Sequence, residues 1–278
     1  MQLSPSIFKA YDIRGIIDET LDPSIAKLIG QAFGTEMREL GETEIVIGRD
    51  GRLSGPSLIE ALTEGLLSTG INVIDFGMVA TPMVYFGANQ TLNGKKPKSG
   101  IMITGSHNPP NYNGFKMVLG GAAIYGDQIQ ALRKRIETKK FATGQGNRSE
   151  FDIFPMYLER IVGDVKLARP IKIAVDCGNG VGGAFAGKLF RALGCEVQEL
   201  FCEVDGHFPN HHPDPTVEEN LIDLAKRVKE TGAICGIGFD GDADRIVFHA
   251  FLSKVLISSL KHDSLHDPVS CTTHSTFT

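Results

Sequence analysis

Two short stretches of the chain concentrate side chains able to do chemistry. In Thr104-Gly105-Ser106-His107-Asn108-Pro109 a serine hydroxyl sits among glycine, proline and polar residues, directly after the apolar run Gly100-Ile101-Met102-Ile103. Ligand sites of open α/β sheets lie beyond the carboxyl ends of strands, which is where this serine falls. The G-x-S-x-G elbow of hydrolases is absent, and a residue adjacent in sequence rarely serves as a serine's base, so a free hydroxyl here is weakly activated. A phosphorylated Ser106 is a different object, a dianion that demands a metal ion and cations around it. Taken as an isolated string, the six residues fit a plain polar turn better.

The second stretch, Asp240-Gly241-Asp242-Ala243-Asp244-Arg245, follows the apolar run Gly236-Ile237-Gly238-Phe239. Alternate spacing can turn three carboxylates toward one point, and hard oxygen ligands suit Mg²⁺, which takes carboxylates together with phosphate oxygens and water. An EF-hand is excluded, because Arg245 stands where that loop needs glycine and Phe251 where it needs glutamate. A solvated acidic turn is the competing interpretation, but three acids crowded at a strand end repel one another without a cation. Arg245 is placed to pair with a phosphate or with one of the aspartates.

These loops need strands to carry them. Runs rich in Ile and Val alternate with longer segments of helical period, the pattern of an α/β protein. The spacing predicts strands at 44–49, 72–76 and 100–104, with helices at 24–40, 56–68 and 127–137. The second half repeats the theme, with strands at 171–176, 196–200 and 233–239 and helices at 183–193 and 217–231. The fold expected is two similar consecutive domains, each a mixed sheet between helices. Residues 139–149 are polar, contain glycine and lack apolar period, so they read as a linker or exposed loop, dividing a first domain at 1–150 from a second at 151–250. Residues 251–278 crowd Ser, Thr and His without period, and no glycine follows Gly241. That tail is expected to be a truncated or frame-shifted terminus.

Composition narrows the function classes. A chain of 278 residues has room for about two domains. Its formal net charge of -5 argues against a general nucleic-acid binder, which needs a basic surface to displace phosphate counterions. No basic N-terminal segment precedes a long apolar run, so a soluble, cytoplasmic protein without a membrane partner is expected. Cys177, Cys195, Cys202, Cys235 and Cys271 are odd in number and include no C-x-x-C pair, which points to reduced thiols rather than a disulfide framework or a zinc site. Gly178, Gly180 and Gly183 form a G-x-G-x-x-G opening a helix, with Glu196 and Glu199 near the distance of a ribose-binding acid. With no hydride-transfer constellation nearby, a structural turn is preferred to a dinucleotide site. His207, His211 and His212 are interrupted by Pro209 and Pro213, which favours a polar loop over zinc ligation.

With both loops in view, the chain resembles the bacterial phosphomannomutase/phosphoglucomutase branch of the α-D-phosphohexomutase superfamily. Phe8 to Gly15 (FKAYDIRG) looks like the family's N-terminal signature, Thr104 to Pro109 like its phosphoserine loop, Asn113 to Lys116 like the segment after it, and Asp240 to Arg245 like its metal loop. His207 to Pro215 is similar to a stretch this branch carries in its second domain. The resemblance covers residues 7 to about 248.

It implies a phosphotransferase that interconverts hexose 6-phosphate and hexose 1-phosphate, of mannose or glucose or both, through a bisphosphate intermediate, with a hexose 1,6-bisphosphate as activator. Ser106 is then the phosphoryl carrier, and one Mg²⁺ is held by its phosphate with Asp240, Asp242 and Asp244. Lys116 and Arg245 assist proton transfer, His107 contacts the phosphoserine or substrate, and Arg14 balances phosphate charge. Tyr11, Arg14, Asn108 and Lys116 line the substrate side of the cleft. Members of the family normally have four domains, the third reading the sugar ring and the fourth gripping the non-transferring phosphate. Nothing after residue 250 matches either, so weakened substrate binding is expected. The alternatives are a non-catalytic metal- or phosphate-binding remnant, or a phosphoglucosamine mutase, from which Tyr11 to Gly15 sets the chain apart.

Overall fold

The computed structural model describes residues 3–250. In the first half the elements run β1 (Ile13–Ile16), α1 (Pro23–Glu39), β2 (Glu44–Arg49), α2 (Gly55–Leu67), β3 (Asn72–Met78), α3 (Thr81–Gly87), β4 (Ser99–Ile103), β5 (Tyr112–Leu119), β6 (Ala122–Ala123), α4 (Asp127–Thr138) and β7 (Arg148–Glu150). The second half contains α5 (Phe154–Asp164), β8 (Lys172–Asp176), α6 (Ala186–Ala192), β9 (Glu196–Leu200), α7 (Ile222–Thr231), β10 (Cys235–Phe239) and β11 (Ile246–Ala250).

Local rules account for the longest helix. Asp22 accepts the Ile25 amide at 2.9 Å and Pro23 occupies the first turn, so α1 starts with a side-chain cap and a preset φ. Ile25, Ile29, Phe33 and Met37 then recur every four residues as its buried stripe. The stripe packs beside α2 at a distance only glycine permits: a Cβ on Gly30 would lie 2.3 Å from the Leu62 carbonyl oxygen, and one on Gly65 2.2 Å from that of Lys27.

The first sheet has the order β1-β5-β4-β2-β3-β7, with β6 paired to β5. Strands β2, β3, β4 and β7 are parallel, while β5 runs antiparallel to both β4 and β1. The second sheet has the order β11-β10-β8-β9, parallel except for the antiparallel β10-β11 pair. Both sheets are therefore mixed. Period-two alternation sends Ile45, Ile47, Ile101 and Ile103 to one face, against α1, α2 and α4, and Val46 and Met102 to the other. That second face also buries Ile153 and Val181, with Phe154, Phe185 and Ala243 packed at its margin, so residues of the second half complete a core layer of the first sheet.

The strap at 139–149 differs from a free linker. It is largely exposed, yet Gly144 and Gly146 donate their amides to the Ser68 and Leu67 carbonyls, each at 2.9 Å, and residues from 148 onward pair with β3. The helices expected at 183–193 and 217–231 each begin with a 3-10 turn, Val181–Ala184 and Glu218–Leu221, and the regular helix starts after it. The tail at 251–278 lies outside the described residues. No helix among the described residues is long and apolar enough to cross a membrane.

Candidate active site

Four strand ends converge on one edge. Beyond β2 come Asp50 and Arg52, beyond β3 Thr81, beyond β4 Ser106, and beyond β10 the aspartate loop, all at carboxyl termini, where such sheets present their ligands. Ser106 is 2% exposed and adopts φ +49°, a left-handed conformation unusual for a residue with a Cβ. The loop around it holds that shape. Thr104 Oγ1 accepts the Ser106 amide at 2.7 Å, and Asn108 Nδ2 donates to the Gly105 carbonyl at 3.1 Å.

The strongest clamp is Arg52, 1% exposed. Its Nη1 donates to the carbonyls of Pro109 (2.5 Å) and Tyr112 (2.9 Å), and its Nη2 to those of Ser106 (2.9 Å) and Asn108 (2.6 Å). Asp50 stands 3.4 Å from Arg52 Nε and accepts the Gly105 amide at 3.1 Å, while the Phe208 ring lies 5.2 Å from the guanidinium carbon. Burial pushes the Asp50 carboxyl up and the Arg52 guanidinium down, and each offsets this as the other's counter-charge. Sequence patterning overlooked Arg52, although its place two residues beyond Asp50 at a strand end was the available signal.

Ser106 Oγ donates to Asp240 Oδ2 at 2.9 Å, joining the two loops directly. Gly241 follows so closely that a Cβ there would lie 2.4 Å from the Ser106 carbonyl oxygen. Ligand atoms of Asp240, Asp242 and Asp244 can all lie within 4.8 Å of one another. Asp242 is anchored by Thr81 Oγ1 at 2.5 Å and by Lys116 Nζ at 2.7 Å, and the same ammonium reaches Asp244. Thr81, which opens α3, is a second residue the sequence reading missed. Alternation along β5 explains the reach of Lys116, since Phe115 and Met117 point into the core and Lys116 points the other way.

Burial, then the charges of Asp242 and Asp244, drive the Asp240 carboxyl well above the usual carboxylate range. Asp242 goes the other way: burial opposes its ionisation, but the Lys116 ammonium outweighs it and holds the carboxyl at about 2. Asp244 is raised, by burial and then by Asp242. Burial disfavours the Lys116 charge, yet the two aspartates keep it firmly protonated. One lone pair set stands out, because Asp242 Oδ1 is buried without a hydrogen-bond partner. A buried carboxylate oxygen left unpaired costs about 1–3 kcal/mol. A hard cation among the three aspartates would supply the missing partner and relieve the mutual repulsion, so the donor set fits Mg²⁺.

The remaining expected residues fall into two groups. His107 and Arg245 belong to the cluster: Arg245 Nη1 donates to His107 Nδ1 at 2.6 Å, which fixes that nitrogen as an acceptor and the imidazole as neutral. Burial and then the Arg245 charge lower the His107 pKa accordingly. Arg14 lies behind the serine loop, pairing with Asp12 and donating to the Thr104 carbonyl at 3.0 Å. Asn108 spends its amide inside the loop, and Tyr11 is 79% exposed and makes none of these contacts.

The glycine turn at 178–183 and the histidine stretch at 207–212 are framework. A Cβ on Gly180 would meet Gly241 at 2.9 Å and one on Gly183 the Cys202 carbonyl at 2.0 Å, so protein backbone fills the space a pyrophosphate would need. The three histidines have separate partners: His207 pairs with Asp205, His211 with Asp176, and His212 Nε2 donates to the His107 carbonyl. His211 faces an acceptor at each ring nitrogen, Asp176 at 3.1 Å and the His212 carbonyl at 2.9 Å, an arrangement that suits the imidazolium. Burial pulls its pKa down, but these acceptors outweigh it and raise it.

A raised folded-state pKa stabilises fully below the unfolded value of about 6.5, and the contribution is lost as pH rises through the folded value. His211→Gln is therefore expected to lower the urea midpoint more at about pH 5.5 than at about pH 8.5. An equal loss at both pH values would show that the charge is irrelevant.

Comparison with known proteins identifies the family of the chain. Residues 5–143 match the family model for phosphoglucomutase/phosphomannomutase, alpha/beta/alpha domain I, and residues 155–250 that for domain II. The chain belongs to the phosphoglucomutase/phosphomannomutase family. It is 54% identical over 244 residues to the phosphomannomutase/phosphoglucomutase of Pseudomonas putida, covering 88% of this chain and 52% of that protein. To the phosphoglucomutase of Neisseria meningitidis serogroup A it is 56% identical over 246 residues, covering 88% and 53%. A crystal structure of a phosphoglucomutase/phosphomannomutase family protein from Burkholderia thailandensis superposes with a TM-score of 0.88 at 56% identity, covering 90% of this chain and 55% of that one. The chain thus spans about half the length of the curated relatives it matches.

Proposed function

We propose that this chain carries the phosphoryl-transfer centre of a hexose-phosphate mutase, with Ser106 as the group that gives and receives the phosphoryl. The observation that carries the proposal is the meeting of Ser106 Oγ and Asp240 Oδ2 at 2.9 Å beside the unpartnered Asp242 Oδ1. Domain I is taken as residues 1–150 and domain II as 151–250. Asp240, Asp242 and Asp244, with the phosphate on Ser106, hold Mg²⁺, which supplies positive charge to the oxygens around the transferring phosphorus.

The sugar hydroxyl displaces Ser106 Oγ from phosphorus and loses its proton, while Ser106 Oγ gains one. Lys116, held protonated beside Asp242 and Asp244, is the proton donor in this exchange, and Arg245 orients His107, whose ring lies 3.4 Å from Ser106 Oγ. Arg14 secures the Thr104 carbonyl at the back of the loop. Tyr11 and Asn108 lie on the substrate side. The second transfer returns the other phosphate of the bisphosphate to Ser106, and a hexose 1,6-bisphosphate primes the serine. The substrates are hexose phosphates, of mannose or glucose.

Incubation with Mg²⁺ and glucose 1,6-bisphosphate is expected to add the mass of one phosphoryl group to the chain and none to Ser106→Ala. Equal uptake by the variant would rule out Ser106. A coupled assay on glucose 1-phosphate and mannose 1-phosphate then separates full isomerisation from uptake alone.

A further inference from the structure

Away from the aspartate loop, two cysteines meet. Cys177 follows β8 and Cys202 follows β9, the parallel neighbours paired from Lys172↔Glu196 to Asp176↔Leu200. Their sulfurs lie 3.6 Å apart. The approach is built into the backbone. The Cys177 amide donates to the Leu200 carbonyl at 3.2 Å, which carries the pairing one step past β8, and Phe201 then turns left-handed at φ +48°, bending the chain so that Cys202 swings back toward Cys177. Gly183 lies flat against the Cys202 main chain and holds the bend in place. Two sulfurs at this distance on adjacent strands need to close by roughly 1.5 Å to reach the disulfide bond length of about 2.05 Å, a movement within reach of side-chain rotation.

The pair is also chemically unequal. Cys177 is fully buried and Cys202 only half-buried. The hydrogen bond between them, then burial, holds the Cys177 thiol well up, whereas the same hydrogen bond stabilises the Cys202 thiolate and outweighs its burial. The more accessible sulfur, Cys202, is thus the one that a small oxidant reaches first, the arrangement of an attacking thiol beside a buried resolving one. Among the described residues, the grouping of three or more His, Cys, Asp or Glu side chains that could hold a metal is the aspartate triad, so the two sulfurs have no third ligand beside them.

We propose that Cys177 and Cys202 are a dithiol oxidation site, converted reversibly by a hydroperoxide into an intramolecular disulfide. The Cys202 thiolate forms an S–O bond to the peroxide, the O–O bond breaks, and the departing oxygen takes a proton and leaves as water or an alcohol. Sulfur is oxidised by two electrons and the peroxide reduced by two. Cys177 then attacks Cys202 Sγ and its proton goes to the sulfenic oxygen; the S–O bond breaks, water leaves and the S–S bond forms. A dithiol reductant reverses the change by exchange.

The test treats the native chain with hydrogen peroxide, blocks the remaining thiols and maps peptides without reduction. The expected result is a loss of two free thiols per chain, a Cys177–Cys202 cross-linked peptide, and recovery of both thiols with dithiothreitol. Dimedone labelling separates the roles: Cys177→Ser is expected to label at Cys202, and Cys202→Ser to leave Cys177 unlabelled. The proposal is overturned by a cross-link between Cys195 and Cys235 instead, by retention of both thiols while another cysteine oxidises, or by the reverse labelling pattern.

Discussion

Gly241→Ala is expected to lower Mg²⁺-dependent phosphoryl uptake at Ser106 by about 100-fold or more while the protein stays folded. Gly241 has an ordinary backbone conformation, so the new methyl adds no φ strain, and the whole effect is steric. The methyl lands 2.4 Å from the Ser106 carbonyl oxygen, with Pro213 closing the other side at 3.5 Å. Neither neighbour can yield easily. The Ser106 carbonyl is held by Arg52 at 2.9 Å, and the two loops have to separate by about an ångström to relieve the clash. That separation breaks the Ser106–Asp240 contact, and a displacement of this size is what positioning-based catalysis tolerates least. Intact-mass time courses on both proteins read the effect directly. Uptake within a factor of a few of the unmodified chain would show that the loops move freely and that their close packing does not set the rate.

The second large effect is expected at Arg52. Removing its side chain strands the Asp50 carboxylate, which is 1% exposed, and leaves the carbonyls of Ser106, Asn108, Pro109 and Tyr112 without their shared donor. Breaking a buried ion pair by deleting one partner costs about 3–5 kcal/mol. Arg52→Ala should therefore shift the urea midpoint by that equivalent and release the serine loop from its left-handed turn. Arg52→Lys is expected to lose nearly as much, because an ammonium on a flexible stem cannot serve four carbonyls spread around a planar fork. Urea unfolding of the two variants side by side checks this. A lysine variant as stable as the parent would mean that charge alone, not the geometry of the guanidinium, holds the loop.

Both predictions concern residues whose importance is only partly visible in the chain of letters. Ser106, Asp240, Asp242, Asp244, Lys116 and Arg245 were readable because their types are chemically distinctive and their strings follow strong apolar runs. The longer strands β2, β3, β4 and β8 and the long helices α1 and α2 were readable because period two and period 3.6 are unambiguous over such lengths. What escaped is local structure set by partners distant in sequence. Nothing in Asp50-Gly51-Arg52 announces that the guanidinium turns inward to gather carbonyls from 106 to 112, and Thr81 acquires its meaning only when Asp242 arrives from 161 residues away. The strap at 139–149 was legible in composition but not in attachment, since its anchors are the Ser68 and Leu67 carbonyls and the side-chain oxygens of Thr35 and Asn72, all distant in sequence. The 3-10 start at Val181–Ala184 likewise goes with the burial of Val181 and Gly182 against distant partners.

The burial of Val181 within the first sheet's second core face has a dynamic consequence. That residue opens the turn whose amide holds the Gly241 carbonyl at 3.1 Å, so the aspartate loop is tied at its root to the same apolar layer that underlies the serine strand. The floor of the cleft is accordingly welded rather than hinged. Serine and aspartate are already in contact in the folded chain, so the entropy of bringing the two loops together is settled once, during folding.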